Sequence, residues 1–180
     1  MEARPIPLRV VPIFLAGHSS ILPALVDHIE RVFRHDVETR LPRFDPEEAF
    51  DPARGQYNST ILLGKLLDET PIGTRVLGVA GMDLFIPILT YVFGEAQLGG
   101  RAAILSTHRL ATSAYGLPAD EPRFLSRVLT EATHELGHTW GLFHCHQPTC
   151  AMRSSTYVED IDLKSNEFCP SCAQAITLRA

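Results

Sequence analysis

Three histidines and a glutamate fall within the eleven residues His134-Glu135-Leu136-Gly137-His138-Thr139-Trp140-Gly141-Leu142-Phe143-His144, a pattern of types and spacing suited to hold and use a metal ion. Residues four apart on a helix lie on one side, one turn from each other, so His134 and His138 can reach a single zinc. Glu135, between them, is placed to take the proton of a water held at that ion. A helix continued for six more residues would carry His144 away. Gly141 can adopt the left-handed backbone that stops a helix and turns the chain back, which returns His144 as a third ligand. Three protein ligands with the fourth position left to water is the plan of a catalytic zinc site, not of a closed structural one.

A second cluster follows at once. All four cysteines of the chain, Cys145, Cys150, Cys169 and Cys172, lie in its last 36 residues with the spacing C-x4-C-x18-C-x2-C. Four thiolates so spaced suit a tetrahedral structural zinc that ties the segment after His144 to the C-terminal region. Two disulfides, or a redox pair at Cys169 and Cys172, are the other readings of the same residues. The start, Met1-Glu2-Ala3-Arg4-Pro5-Ile6-Pro7, lacks the pattern of a secretory signal, so a cytoplasmic, reducing setting is expected, and this disfavours disulfides.

These side chains need a scaffold. Asp120-Glu121-Pro122 opens a long helix that ends at the motif, with Leu125, Val128, Leu129, Ala132 and Leu136 as its apolar stripe. His134 and His138 fall on the other side, so the helix is expected to divide the core from the metal cleft. Upstream, Leu8 to Ala16 reads as a strand and Ser19 or Ser20 as the cap of a helix to about Arg34, in which His28 and, just beyond it, His35 are taken as solvated. Asp36 to Leu41 alternates as a strand, and residues 42–55 form a proline- and acid-rich loop. Asn58 caps a helix with Ile61, Leu62 and Leu66 inward. Arg75 to Ala80, Thr90 to Phe93 and Gly100 to Thr107 complete the strands. This alternation predicts an α/β fold with a mixed, mostly parallel sheet, in which one of the two late strands is antiparallel and near an edge. A strand over Thr90–Ala96 at that edge would let an extended peptide bind by strand addition. The region after His144 reads as loop-rich with a final helix near Cys172 to Leu178. The expected organisation is one domain over 1–180, with residues 1–141 as an upper subdomain and 142–180 as a lower one.

A chain of 180 residues suffices for one well-buried domain. A net charge of −5 without a basic stripe argues against nucleic acid as a partner, and no apolar run approaches the ~20 residues of a membrane helix. Oligomeric state is not readable.

The histidine segment, followed by Cys145, Cys150, Met152 and the Cys169–Cys172 pair, resembles the archaemetzincins, zinc metallopeptidases of the metzincin clan. Ten positions match over the 39 residues from His134 to Cys172, and the gap between Met152 and Cys169 is about one residue shorter than the family's. The resemblance implies a metzincin-like fold and two zinc ions per chain. It implies His134, His138 and His144 as ligands of the catalytic zinc and Glu135 as general base, acting on a peptide or protein substrate. Cys145, Cys150, Cys169 and Cys172 would hold the structural zinc, and Met152 would form the turn beneath the catalytic metal. Tyr157 is the local candidate for assisting an oxyanion. Two rivals stand beside this reading: a gluzincin-type site with Glu159 as third ligand, and a noncatalytic zinc module that binds a peptide or protein partner.

Overall fold

The computed structural model describes residues 7–15 and 17–178; the start at Met1–Ile6 and Ala16, the expected last residue of the first strand, lie outside them. Five strands form the main sheet: β1 (Leu8–Ile13), β2 (Val37–Thr39), β5 (Arg75–Ala80), β7 (Gly94–Ala96) and β8 (Ala102–Ser106), in the order β2-β1-β5-β8-β7. All neighbours run parallel except β7, which is antiparallel to β8 at the edge, as the sequence predicts. A small second sheet joins β3 (Phe50–Asp51), β4 (Gln56–Asn58) and β6 (Leu84–Phe85).

The alternation of side chains along the strands builds two core layers. Leu8, Val10, Leu77, Val79, Ala103 and Leu105 face helix α1 (Leu22–Phe33) and helix α3 (Glu121–Thr139). Val11, Ile13, Val76, Ala80, Ala102 and Ile104 face helix α2 (Ser59–Glu69). Short helices α4 (Val158–Asp162) and α5 (Pro170–Thr177) are set in the irregular segment after the motif. Among the described residues no helix is long and apolar enough to cross a membrane.

Helices α2 and α3 start as the local chemistry directs. The Asn58 side chain accepts from the N–H groups of Thr60 and Ile61 at the start of α2, and Asp120 accepts from Arg123 N–H at the start of α3. Arg34 closes α1 in the left-handed conformation at φ 58°.

Five expectations need correction. Neither Ser19 nor Ser20 caps α1: both lie in a tight 3-10 turn, Ser19–Ile21, and Ile21 precedes the helix with no side-chain cap. His28 and His35 are buried, not solvated: His28 Nε2 meets Thr133 Oγ1 at 2.8 Å, and the His35 ring stacks on Trp140. Residues 42–55 are not wholly loop, because β3 pairs with β4 there. Ile61 is exposed, and Leu63 takes the inward place beside Leu62 and Leu66. The edge strand is Gly94–Ala96, not Thr90–Phe93; Val92 makes only one bridge, to Leu84, before the chain bends at Phe93.

Candidate metal centre

Helix α3 is buried on nearly all sides in its second half, where Thr130, Glu131, Ala132, Thr133, His134, Glu135, Leu136 and Gly137 are all buried. Its end is built for a reversal. Gly141 takes φ 79°, Gly141 N–H donates to the His138 carbonyl at 2.8 Å, and Leu142 N–H donates to the Gly137 carbonyl at 3.1 Å. This is a Schellman closure with glycine at the one position where an L side chain is strained. Arg75 adds a cation at the helix C-terminus by donating to the Thr139 carbonyl at 2.7 Å. The reversed chain brings His144 back, so that one ring nitrogen from each of His134, His138 and His144 lies within 4.8 Å of the others.

The hydrogen bonds fix which nitrogens face inward. His134 Nδ1 donates to the Ala151 carbonyl at 2.8 Å, and His138 Nδ1 donates to the Leu142 carbonyl at 2.7 Å. A carbonyl only accepts, so each Nδ1 carries the proton and each Nε2 presents a lone pair. Those two Nε2 atoms stand 3.1 Å apart. Two lone pairs facing at that distance repel unless a cation lies between them, and a tetrahedral zinc with Zn–N near 2.05 Å would hold two nitrogens about 3.3 Å apart. Burial holds all three imidazoles below their ordinary pKa, with the Lys164 ammonium adding to the effect, which favours the neutral, ligating form. The donor set therefore fits zinc. Glu159, in contrast, is exposed on α4 and belongs to no such cluster among the described residues, so the geometry favours His144 over it as third member.

Glu135 lines the same cleft and is buried; burial, then the nearby Glu131 carboxylate, pushes its pKa well up. The room for its side chain comes from Gly94 in β7. A Cβ at that position would lie 2.5 Å from Glu135 Oε1 and 2.6 Å from its Cγ, so a side chain there would displace the Glu135 carboxylate. Sequence reasoning missed Gly94; a glycine inside a strand segment was the available signal of close approach. Gly137 has a matching role beneath the helix, where a Cβ would lie 2.4 Å from the sulfur of fully buried Met152.

The cleft encloses about 740 Å³. Residues 89–96 and Leu98 form one lip and residues 154–157 the other, and Tyr91 O–H joins them by donating to the Thr156 carbonyl at 3.2 Å. Exposed Leu89, Leu98, Phe143 and Tyr157 give its mouth an apolar character. Along β7, Ser106 N–H donates to the Phe93 carbonyl and Gln97 N–H to the Ala102 carbonyl. By antiparallel alternation Gly94 and Ala96 direct their backbone N–H and C=O groups outward, where an extended chain can pair with them.

The four cysteines also converge. Their sulfurs lie within 4.8 Å of one another, with Cys145 and Cys169 Sγ 3.8 Å apart, and none is in a disulfide. Tetrahedral zinc with Zn–S near 2.3 Å separates sulfurs by about the same 3.8 Å. Backbone N–H groups of Gln147 and Cys169 point at Cys145 and Cys150 sulfurs, at 3.5 and 3.3 Å, as thiolates would require. Cys145 N–H donates to the Met152 carbonyl at 2.9 Å, which joins this cluster to the turn beneath the histidines.

Comparison with known proteins places the chain among relatives. Residues 38–178 match the profile of Peptidase family M54. The chain is 41% identical to an archaemetzincin of Methanocaldococcus jannaschii over 137 residues, 76% of this chain and 75% of that one. It is 38% identical to the archaemetzincin of Methanopyrus kandleri over 159 residues, 88% and 87% of the two chains. The crystal structure of the Methanopyrus kandleri archaemetzincin superposes with a TM-score of 0.84 at 34% identity, covering 99% of this chain and 98% of that one. The Archaeoglobus fulgidus archaemetzincin structure gives 0.79 at 34% identity, covering 94% and 99%.

Proposed function

The chain belongs to Peptidase family M54 and is a zinc metallopeptidase, and from that premise we propose that Glu135 is its general base, with His134, His138 and His144 holding one zinc and Cys145, Cys150, Cys169 and Cys172 a second. The observation that carries the reading is the facing pair of imidazole lone pairs at 3.1 Å beside a buried carboxylate. Zinc bound to the histidines supplies a Lewis acid that acidifies water and polarises a peptide carbonyl.

The protein's own residues do the rest. The outward backbone of Gly94 and Ala96 holds an extended peptide, and the apolar mouth favours apolar side chains on it. Glu135, one residue after His134 and pressed against Gly94, takes the proton of the attacking water and returns it to the leaving amine. Its burial serves this, because a carboxylate with a raised pKa is a stronger base. Met152 forms the apolar floor of a metzincin-type turn. The upper subdomain then runs to Gly141 and the lower one from Leu142. Four reduced cysteines gathered around one ion go with the cytoplasmic setting expected from the sequence. A metzincin arrangement is favoured over the gluzincin one because the Schellman turn at Gly141 delivers His144 to the pair.

Two experiments test these assignments. His144→Ala is expected to weaken zinc at the histidine site by at least about 100-fold in a chelator titration, because one of three protein ligands is gone. Glu159→Gln is expected to leave it unchanged; the opposite pattern would give the third position to Glu159. Gly94→Ala forces the Glu135 carboxylate aside, and displacement of a reacting group by about 1 Å costs on the order of 100-fold. Its kcat is expected to fall by that factor while both zinc ions are retained. A Gly94→Ala enzyme as fast as the parent would show that Glu135 need not sit where the structure places it.

A further inference from the structure

Lys164 is a buried cation inside the cleft wall whose role none of the above explains. Its side chain is fully inaccessible, and its Nζ is within reach of three acceptors: Glu131 Oε1 at 3.3 Å, the Ala151 carbonyl at 3.4 Å and the Arg153 carbonyl at 2.9 Å. An ammonium has three N–H donors, so this set uses all of them. The acceptors come from two different parts of the site. Glu131 is on α3, one turn before Glu135, while Ala151 and Arg153 flank Met152. The Ala151 carbonyl is also the group that accepts from His134 Nδ1 at 2.8 Å.

The chain places Lys164 firmly. Arg127 on α3 grips Asp162, at the end of α4, by two bonds of 2.7 Å. Ser165 N–H donates to the Thr149 carbonyl and Ala151 N–H to the Glu167 carbonyl, which lays the strand of chain after Lys164 along the turn. A lysine with this degree of fixation and no solvent contact is costly, since a buried ion pair seldom repays its own desolvation. A hydrophobic pair of similar volume would seal the same gap, so the charge calls for another explanation.

We propose that Lys164 is a positioning residue for the metal centre: by holding the Ala151 carbonyl and pairing with Glu131, it fixes the orientation of the His134 ring and locks the Met152 turn to α3. The proposal rests on the reading of the three histidines as a zinc site. Partners that orient ligating histidines typically contribute 10- to 100-fold to metal affinity.

The test separates this from simple packing. Lys164→Met alone leaves Glu131 buried and unpaired, and is expected to lower both thermal stability and zinc affinity. Lys164→Met with Glu131→Met leaves no unpaired charge, and replacement of a buried pair by apolar groups is commonly neutral or stabilising. The double variant is therefore expected to recover the parent melting temperature and to keep the cysteine-held zinc. Its histidine-held zinc is expected to bind at least 10-fold more weakly in a chelator titration, and its cobalt(II) absorption bands are expected to shift. Parent-like zinc affinity and cobalt spectrum in the double variant would overturn the proposal and leave the zinc site standing. Histidine-site zinc affinity unaffected by both His134→Ala and His144→Ala would instead bring down the zinc-site reading, and this proposal with it.

Discussion

Glu135→Gln is expected to lower peptide turnover by about 10³-fold while the protein still binds two zinc ions and keeps its melting temperature. The amide has the shape of the carboxylate, so it fits beside Gly94 and disturbs neither histidine, but it cannot take a proton. Positioned proton transfer by a side chain contributes roughly 10² to 10⁴ in rate. Two features put Glu135 in the upper part of that span. It is buried, which makes it a stronger base than an exposed carboxylate, and it is held on a helix whose neighbouring residues are fixed on all sides. Metal analysis beside a peptide-library digest reads both quantities on one preparation. The noncatalytic reading, in which the chain only binds a peptide partner, predicts no turnover in either form. Equal turnover by parent and variant would remove Glu135 from the mechanism and leave the zinc to act with another base.

The parts of the site that were legible in the sequence are those fixed by local geometry. His134 and His138 share a helix face because of the helical repeat, and Gly141 reverses the chain because its left-handed φ closes the helix. Asn58 and Asp120 announce their helices by side chains that satisfy free N–H groups. The parts that were not legible depend on long-range packing. Thr90–Phe93 has the stronger strand propensity, yet the ladder forms at Gly94–Ala96, where the chain pairs with β8, while Val92 is drawn to Leu84 instead. His28 and His35 carry no local sign of burial. One is enclosed through Thr133, 105 residues away, and the other by the face of Trp140. Lys164 was likewise silent: its partners are Glu131, Ala151 and Arg153, and only the fold brings them together. A charge on an otherwise polar stretch reads as surface until its acceptors are known.

The cysteine cluster is expected to govern stability as strongly as Glu135 governs rate. Cys172→Ser should remove one zinc of the two and lower the melting temperature by roughly 10 °C or more. Structural zinc in small sites binds with an apparent ~10–16 kcal/mol, comparable to or above the ~5–15 kcal/mol by which a whole domain is stable. Even if only about 4 kcal/mol of that is coupled to folding, ~2–4 °C per kcal/mol for a chain of this size gives the stated fall. The apolar core offers little to replace it here. After Leu142 the regular structure is two short helices, and the residues that anchor the segment inward are Cys150, Ala151, Met152, Val158, Ile161 and Ile176. Cys169 immediately precedes α5, and Cys145 follows His144 directly while its N–H donates to the Met152 carbonyl. Loosening the cluster therefore releases the third histidine and the floor under the first. Turnover should fall with the melting temperature, and histidine-site zinc should weaken even though no histidine has changed. A phosphine reductant, which brings no thiolate to compete for zinc, should leave the parent's melting temperature unchanged, whereas a disulfide pairing would make it destabilising. A parent that binds a single zinc ion, together with an unchanged melting temperature in Cys172→Ser, would show that the four sulfurs gather without a metal. The stability of the lower segment would then have to come from its apolar contacts alone.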